Sequence, residues 1–96
     1  MFEVRKTDEF DKWLSALADQ RAIAKIVSRI ERLGLVNAGD VKPIGDGISE
    51  MRLTHGPGYR IYYKQTGKTI MLILYGGDKS TQDSDIKRAK EIARQI

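Results

Sequence analysis

The stretch ISEMRLTHGPGYRIYYKQTGKTIMLILY, residues 48–75, decides the fold. Three runs, ISEMRLT, YRIYYKQ and TIMLILY, have the β-branched and aromatic content of strands. HGPG joins the first two and TGK the second two. Both are short glycine-containing links of the hairpin kind, so the three strands form an antiparallel meander. The last run is apolar on both faces, so it should be the central strand. Side chains alternate along a strand. Met51 and Leu53, and Tyr59, Ile61 and Tyr63, therefore face a core. Glu50, Arg52, Arg60, Tyr62 and Lys64 face the other way.

Upstream, MFEVRK reads as a short strand. Thr7 or Asp8 can cap a helix whose first turn holds Asp8, Glu9 and Asp11, charges suited to its positive end. Phe10, Trp13, Leu14 and Leu17 fall at i, i+3, i+4 and i+7, one apolar face. Asp19 can cap a second helix, with Ile23, Ile26, Val27, Ile30 and Leu33 as its stripe and Gly34 as its end. From Asn37 to Gly47 the chain reads as loop and short strand, with Pro43 on a sheet edge. Downstream, STQDSDIKRAKEIARQI is a helix. Ser80 and Asp83 have capping-box spacing, and Ile86, Ala89, Ala93 and Ile96 form a weak apolar stripe. The fold class is α+β: an antiparallel sheet of about four to five strands, an N-terminal helix hairpin on one face, and a C-terminal helix.

With 96 residues, the chain has room for one domain, 1–96. There is no cysteine and one histidine, so disulfides and cysteine or multi-histidine metal sites are excluded. No cofactor is expected. No apolar run is long enough to span a bilayer and the N-terminus is no signal peptide, so no membrane association and a cytoplasmic location are expected. The net charge of +4 is uneven. Residues 1–48 hold 8 Lys/Arg and 8 Asp/Glu, whereas residues 49–96 hold 9 and 5. A polyanion or an acidic partner would meet the second half.

The alternation places Arg52, Arg60 and Tyr62 together on the face that the helix pair leaves uncovered. Neighbouring antiparallel strands bring such residues within about 5–8 Å. Lys79, just past the last strand, can lean over the same face. Guanidinium forks and an ammonium suit a phosphodiester, and a tyrosine ring can stack on a base. Pairing of the arginines with Glu50 and Asp78 is the competing expectation. His55 sits in the HGPG turn as a solvated residue, and Trp13 belongs to the core.

The stretch GGDKST, residues 76–81, resembles a phosphate-binding loop only superficially. Such a loop needs G-x-x-x-x-G-K-[ST] between a parallel strand and a helix. Here Asp78 separates glycine from lysine, and no glycine stands five residues before Gly77. What remains is a Gly-Gly kink, a lysine and a capped helix.

Three stretches carry a family resemblance: FDKWL, residues 10–14; GDVKPIGDGISEMRLTHGPGYRIYY, residues 39–63; and GGDKSTQDSDIKRAK, residues 76–90. With the order of elements, they resemble toxins of the bacterial RelE/ParE superfamily, in the HigB-like branch of addiction-module killer proteins. The resemblance implies a twisted antiparallel sheet with a helix hairpin packed on it. It implies a toxin silenced by a cognate antitoxin, in this branch a helix-turn-helix, HigA-like protein. RelE-like members are metal-independent endoribonucleases that cut mRNA on the ribosome and so inhibit translation; ParE-like members poison DNA gyrase. By motif position, Arg60 matches the arginine on the scissile phosphate. Arg52 matches a basic residue on the preceding strand, and Lys79 one just after the last strand. Glu50 stands where the family has a further basic residue. Residues 80–96 contain no counterpart of the C-terminal tyrosine or histidine of several members. The catalytic set implied is Arg60, Lys79, Arg52 and Glu50, with Arg52, Tyr62, Lys64 and Lys79 binding substrate.

Overall fold

A computed structural model describes residues 2–35 and 39–96. Asn37 and Ala38, where the loop was expected to begin, lie outside the described residues. The elements run β1 (Glu3–Lys6), α1 (Asp8–Ser15), α2 (Gln20–Gly34), β2 (Val41–Gly45), β3 (Ile48–Leu53), β4 (Tyr59–Gln65), β5 (Ile70–Asp78), a single 3₁₀ turn (Lys79–Thr81) and α3 (Gln82–Arg94).

The strands form one sheet in the order β1-β5-β4-β3-β2. The meander β3-β4-β5 is antiparallel as expected, and β2 with Pro43 is an edge strand. The sheet as a whole is mixed, because β1 pairs parallel with β5, Val4 opposite Met71. The long stretch of chain between them, through α1, α2 and the other three strands, supplies the connection that a parallel pair requires. β5 is interior, between β1 and β4, but the central place expected of it is taken by β4, because β1 adds a single strand beyond β5 while β3 and β2 add two beyond β4.

The helix starts follow their capping chemistry. Thr7 Oγ1 accepts the Phe10 amide at 3.1 Å and donates to the Leu74 carbonyl at 2.7 Å, tying α1 to β5. Asp19 accepts the amides of Arg21 and Ala22 at 3.0 and 3.2 Å, satisfying donors that the first turn of α2 leaves open. Phe10, Ile26, Ile30 and Leu33 of these helices pack on Met51, Leu53, Tyr59, Ile61, Tyr63 and Ile73.

The second sheet face is covered, which corrects the expectation that it lies open. α3 lays Ile86, Ala89, Ile92 and Ala93 across Ile48, Tyr62, Leu72 and Leu74. Ile92 takes the buried place expected of Ile96, which is 67% exposed. The stripe reads as weak in sequence because it is half alanine. Alanine costs no side-chain entropy and lets a helix sit close to a sheet.

Gly76 and Gly77 do not kink the chain; β5 runs through both to Asp78. Each is a glycine because something stands too close on one side. A Cβ on Gly76 would lie 2.4 Å from the Trp13 ring, and one on Gly77 would lie 1.7 Å from Asp85 Oδ2. Trp13 is wedged there by Phe10 and Tyr59, with ring centroids at 5.8 and 6.0 Å.

Candidate active site

Arg52 and Arg60 face each other across the β3–β4 pair. Like charges in directly opposite positions repel, and each arginine has its own carboxylate. Arg52 Nη2 lies 3.1 Å from Asp40 Oδ1 in an exposed pair. Arg60 Nε lies 3.8 Å from Glu50 Oε1 in a buried one, with the Arg60 side chain 13% and Glu50 1% exposed. Of the arginine pairings expected with Glu50 and Asp78, the one with Glu50 is present, made by Arg60, while Arg52 pairs with Asp40.

The Glu50 carboxylate is anchored from one side. Its Oε2 accepts from Gln82 Nε2 at 2.8 Å and from the Tyr62 hydroxyl at 3.3 Å. Its Oε1 has no hydrogen-bond partner, and neither has Arg60 Nε facing it. At 3.8 Å the two attract electrostatically without a direct hydrogen bond. Arg60 is thus oriented by a buried negative charge and keeps donors for another anion.

Tyr62 is fully buried under α3. It is on the face the alternation assigns it, but no base can reach its ring, so its expected stacking role is corrected. Burial first, and then the Glu50 charge, push its phenol far above the ordinary tyrosine range. It stays a neutral donor to Glu50 and is no candidate for a proton-accepting tyrosinate.

Lys79 is exposed and opens the 3₁₀ turn after β5. The cap there is Asp78, not Ser80. Its Oδ1 accepts the Ser80 amide at 2.8 Å and the Ser80 hydroxyl at 2.5 Å. Thr81 Oγ1 in turn donates to Asp85. Gly58, at φ +80°, lies between the two basic groups: a Cβ there would sit 3.5 Å from Lys79 Cβ and 3.7 Å from Arg60 Nη1. The β3–β4 link therefore passes close to both Lys79 and Arg60. A cleft of about 330 Å³ beside it is lined by Lys79, Ser80, Thr81, Gln82, Asp83 and Ser84.

Lys64 does not join this group. It lies four residues along β4 from Arg60, roughly 13 Å at strand spacing, in a hollow with Asp46, Lys90, Ala93 and Arg94. His55 is not simply solvated: Nε2 lies 3.0 Å from Asp19 Oδ2. The Asp19 carboxyl is held below the ordinary range by the Ala22 amide and then by His55.

Arg52, Arg60 and Lys79 are thus gathered at one end of the meander, with Glu50 beneath. Two guanidiniums and an ammonium there can bind a phosphodiester and offset charge developing on its oxygens. Asp40, Gln82 and Asp85 support the site and carry no sequence signal for it. Gln82 and Asp40 act across 32 and 12 residues of chain, on Glu50 and Arg52, while Asp85 acts locally on Thr81 and Gly77, and nothing in their spacing marks them.

Comparison with known proteins adds the following. Residues 12–96 match the family described as phage derived protein Gp49-like. An uncharacterized protein of Haemophilus influenzae is 49% identical over 94 residues, spanning 98% of this chain and 95% of that one. Among solved structures, a chain of the toxin-antitoxin complex RelBE2 from Mycobacterium tuberculosis superposes with a TM-score of 0.65 at 24% identity, covering 81% of this chain and 98% of its own. At that identity the likeness is one of fold, and it agrees with the α+β architecture read from the sequence.

Proposed function

The chain belongs to the phage derived protein Gp49-like family, and on that footing we propose that it is the toxin of a type II toxin-antitoxin system, acting as a metal-independent endoribonuclease on mRNA. The observation that carries this reading is the convergence of Arg60 and Lys79 on Gly58, with Arg52 on the facing strand. The fold it shares with a chain of a toxin-antitoxin complex supports the toxin role. The partners of this reading are mRNA on the ribosome and a cognate antitoxin of the helix-turn-helix, HigA-like kind.

In this mechanism the ribose 2′-OH attacks the adjacent phosphorus and the 5′ oxygen of the next nucleotide leaves, giving a 2′,3′-cyclic phosphate. Arg60 offsets the charge that develops on the phosphate oxygens, the term that contributes most in such sites. Arg52 clamps the phosphate, Lys79 stabilises or protonates the leaving oxygen, and the 2′-OH proton passes to solvent water at the exposed edge of the site. Glu50 is 1% exposed and held by Gln82 and Tyr62. Its role here is to orient Arg60, not to take the 2′-OH proton. The ribosome supplies orientation that so small a domain lacks.

Induced expression of the wild type beside Arg60→Ala, with mRNA ends mapped by primer extension, tests the reading. New ends with the wild type and none with the variant are expected; no new ends with either, and undisturbed translation, would remove it. One observation favours a second reading, inhibition of DNA gyrase without catalysis. Glu50 and Tyr62 are both buried, so neither offers an accessible general base beside Arg60. Supercoiling that stays normal with excess protein would eliminate this rival.

A further inference from the structure

A second basic site lies on the other side of the sheet. Between α2 and the turn after β3 is a cavity of about 440 Å³ lined by Lys25, Ser28, Arg29, Arg32, Thr54 and His55. The four α2 residues fall at i, i+3, i+4 and i+7, one face of the helix. The lining holds three full positive charges and two hydroxyls, and it contains no carboxylate and no large apolar side chain.

The cavity is preformed. Asp19 caps α2 and holds His55, so the turn is tied to the helix start. Arg29 Nη1 donates to the Arg52 carbonyl at 3.0 Å, and Nη2 to the Asp40 carbonyl at 3.4 Å. The side chains of Lys25 and Arg32 are exposed and, among the described residues, make no hydrogen bond or ion pair. Burial, and then the like charge of Arg32, hold the Arg29 guanidinium below its ordinary range. An anion in the cavity would relieve that repulsion.

We propose that this cavity is a second phosphate subsite, holding a backbone phosphate of the same single-stranded RNA whose cleaved phosphate lies at Arg60. The proposal rests on the ribonuclease reading. Arg52 joins the two places: its side chain belongs to the Arg60 group and its carbonyl anchors Arg29 in the cavity. One β3–β4 turn separates them, so a strand bound at Arg60 reaches the cavity by passing over that turn. A protein partner would seek apolar or aromatic anchors, which the lining lacks. Guanidinium, ammonium and hydroxyl donors are the set that contacts nucleic-acid phosphates.

The test is binding of a labelled, uncleavable 2′-O-methyl oligonucleotide of mixed sequence, followed by anisotropy across a salt series. The proteins are the wild type, Lys25→Ala/Arg32→Ala and Arg60→Ala, with thermal melts confirming that each is folded. The double variant is expected to bind about tenfold more weakly on every sequence, with a salt slope lower by about 0.7, one phosphate contact on a single strand. Unchanged affinity and slope would overturn the proposal. So would a cavity that binds inorganic phosphate, or polyglutamate in place of the oligonucleotide, while the double variant leaves oligonucleotide binding intact. The two readings fail separately. Weakened binding by the double variant, with no new mRNA ends from the wild type, removes the nuclease and keeps the subsite. New mRNA ends with intact binding by the double variant do the reverse.

Discussion

Glu50 Oε1 lies 3.8 Å from Arg60 Nε, and neither atom has a hydrogen-bond partner. Removing one member of a buried pair strands the other charge. Glu50→Ala is therefore expected to lower unfolding free energy by about 3 kcal/mol in urea titrations, and Glu50→Ala/Arg60→Ala by less than the sum of the single changes. In the cleavage assay Arg60→Ala should lose roughly 10²–10³ in rate. Glu50→Gln keeps an acceptor for Gln82 and should retain more activity than Arg60→Ala, with the wild-type pH profile. Loss of the acid limb of that profile in Glu50→Gln would make Glu50 the proton acceptor instead.

Tyr62 separates a packing role from a stacking role. Tyr62→Phe deletes one donor to the buried Glu50 carboxylate and keeps the ring under α3. A loss of about 1–2 kcal/mol in stability is expected, with oligonucleotide affinity unchanged in the folded protein. A fall in affinity without a fall in stability would return Tyr62 to the substrate.

Gly77 tolerates no side chain while Asp85 is present, because a Cβ would stand 1.7 Å from its Oδ2. Gly77→Ala should cost at least about 1–3 kcal/mol through overpacking. Gly77→Ala/Asp85→Ala should recover part of that loss. Urea titrations of the four proteins measure the coupling, and strict additivity would show that Asp85 is not the obstacle.

Asp85 is buried on α3, and burial pushes its carboxyl above the ordinary range; the Thr81 hydrogen bond acts against this and Asp78 adds to it. For an acid whose folded pKa is raised, the stabilising contribution is complete below the unfolded value of 3.8. It is lost as pH rises through the folded value. Asp85→Asn keeps an oxygen for Thr81 and removes that loss. Its melting temperature is expected to exceed that of the wild type by a few degrees at pH 7, and the difference to close as pH falls toward 4. A difference independent of pH would contradict the burial argument.

Much of the fold was legible locally. The three strand runs with their glycine links specify the meander, since alternation and turn chemistry act over a few residues. Thr7 and Asp19 mark their helix starts for the same reason, and Arg52 beside Arg60 follows from register alone. The fate of the second face was not legible. Whether α3 covers Tyr62 and Glu50 depends on the close approach of an alanine-rich helix to the sheet, and no local period encodes that distance. The Gly76-Gly77 pair illustrates the same limit. Its sequence is compatible with a kink, yet each glycine answers a side chain over sixty residues upstream or eight downstream, Trp13 and Asp85.

The sequence by itself determined the α+β class, the meander, the Thr7 and Asp19 helix caps and the candidate triad of Arg52, Arg60 and Lys79. These follow from backbone periodicity, from hydrogen-bond donors at helix ends and from short-range spacing. The tertiary structure alone decided that Glu50 and Tyr62 lie beneath α3 as supports for Arg60, that β1 joins in parallel, and that a basic cavity flanks the β3–β4 turn. Those outcomes depend on which distant surfaces exclude water together and on where buried charge finds compensation. Such terms exist only once the chain has closed on itself.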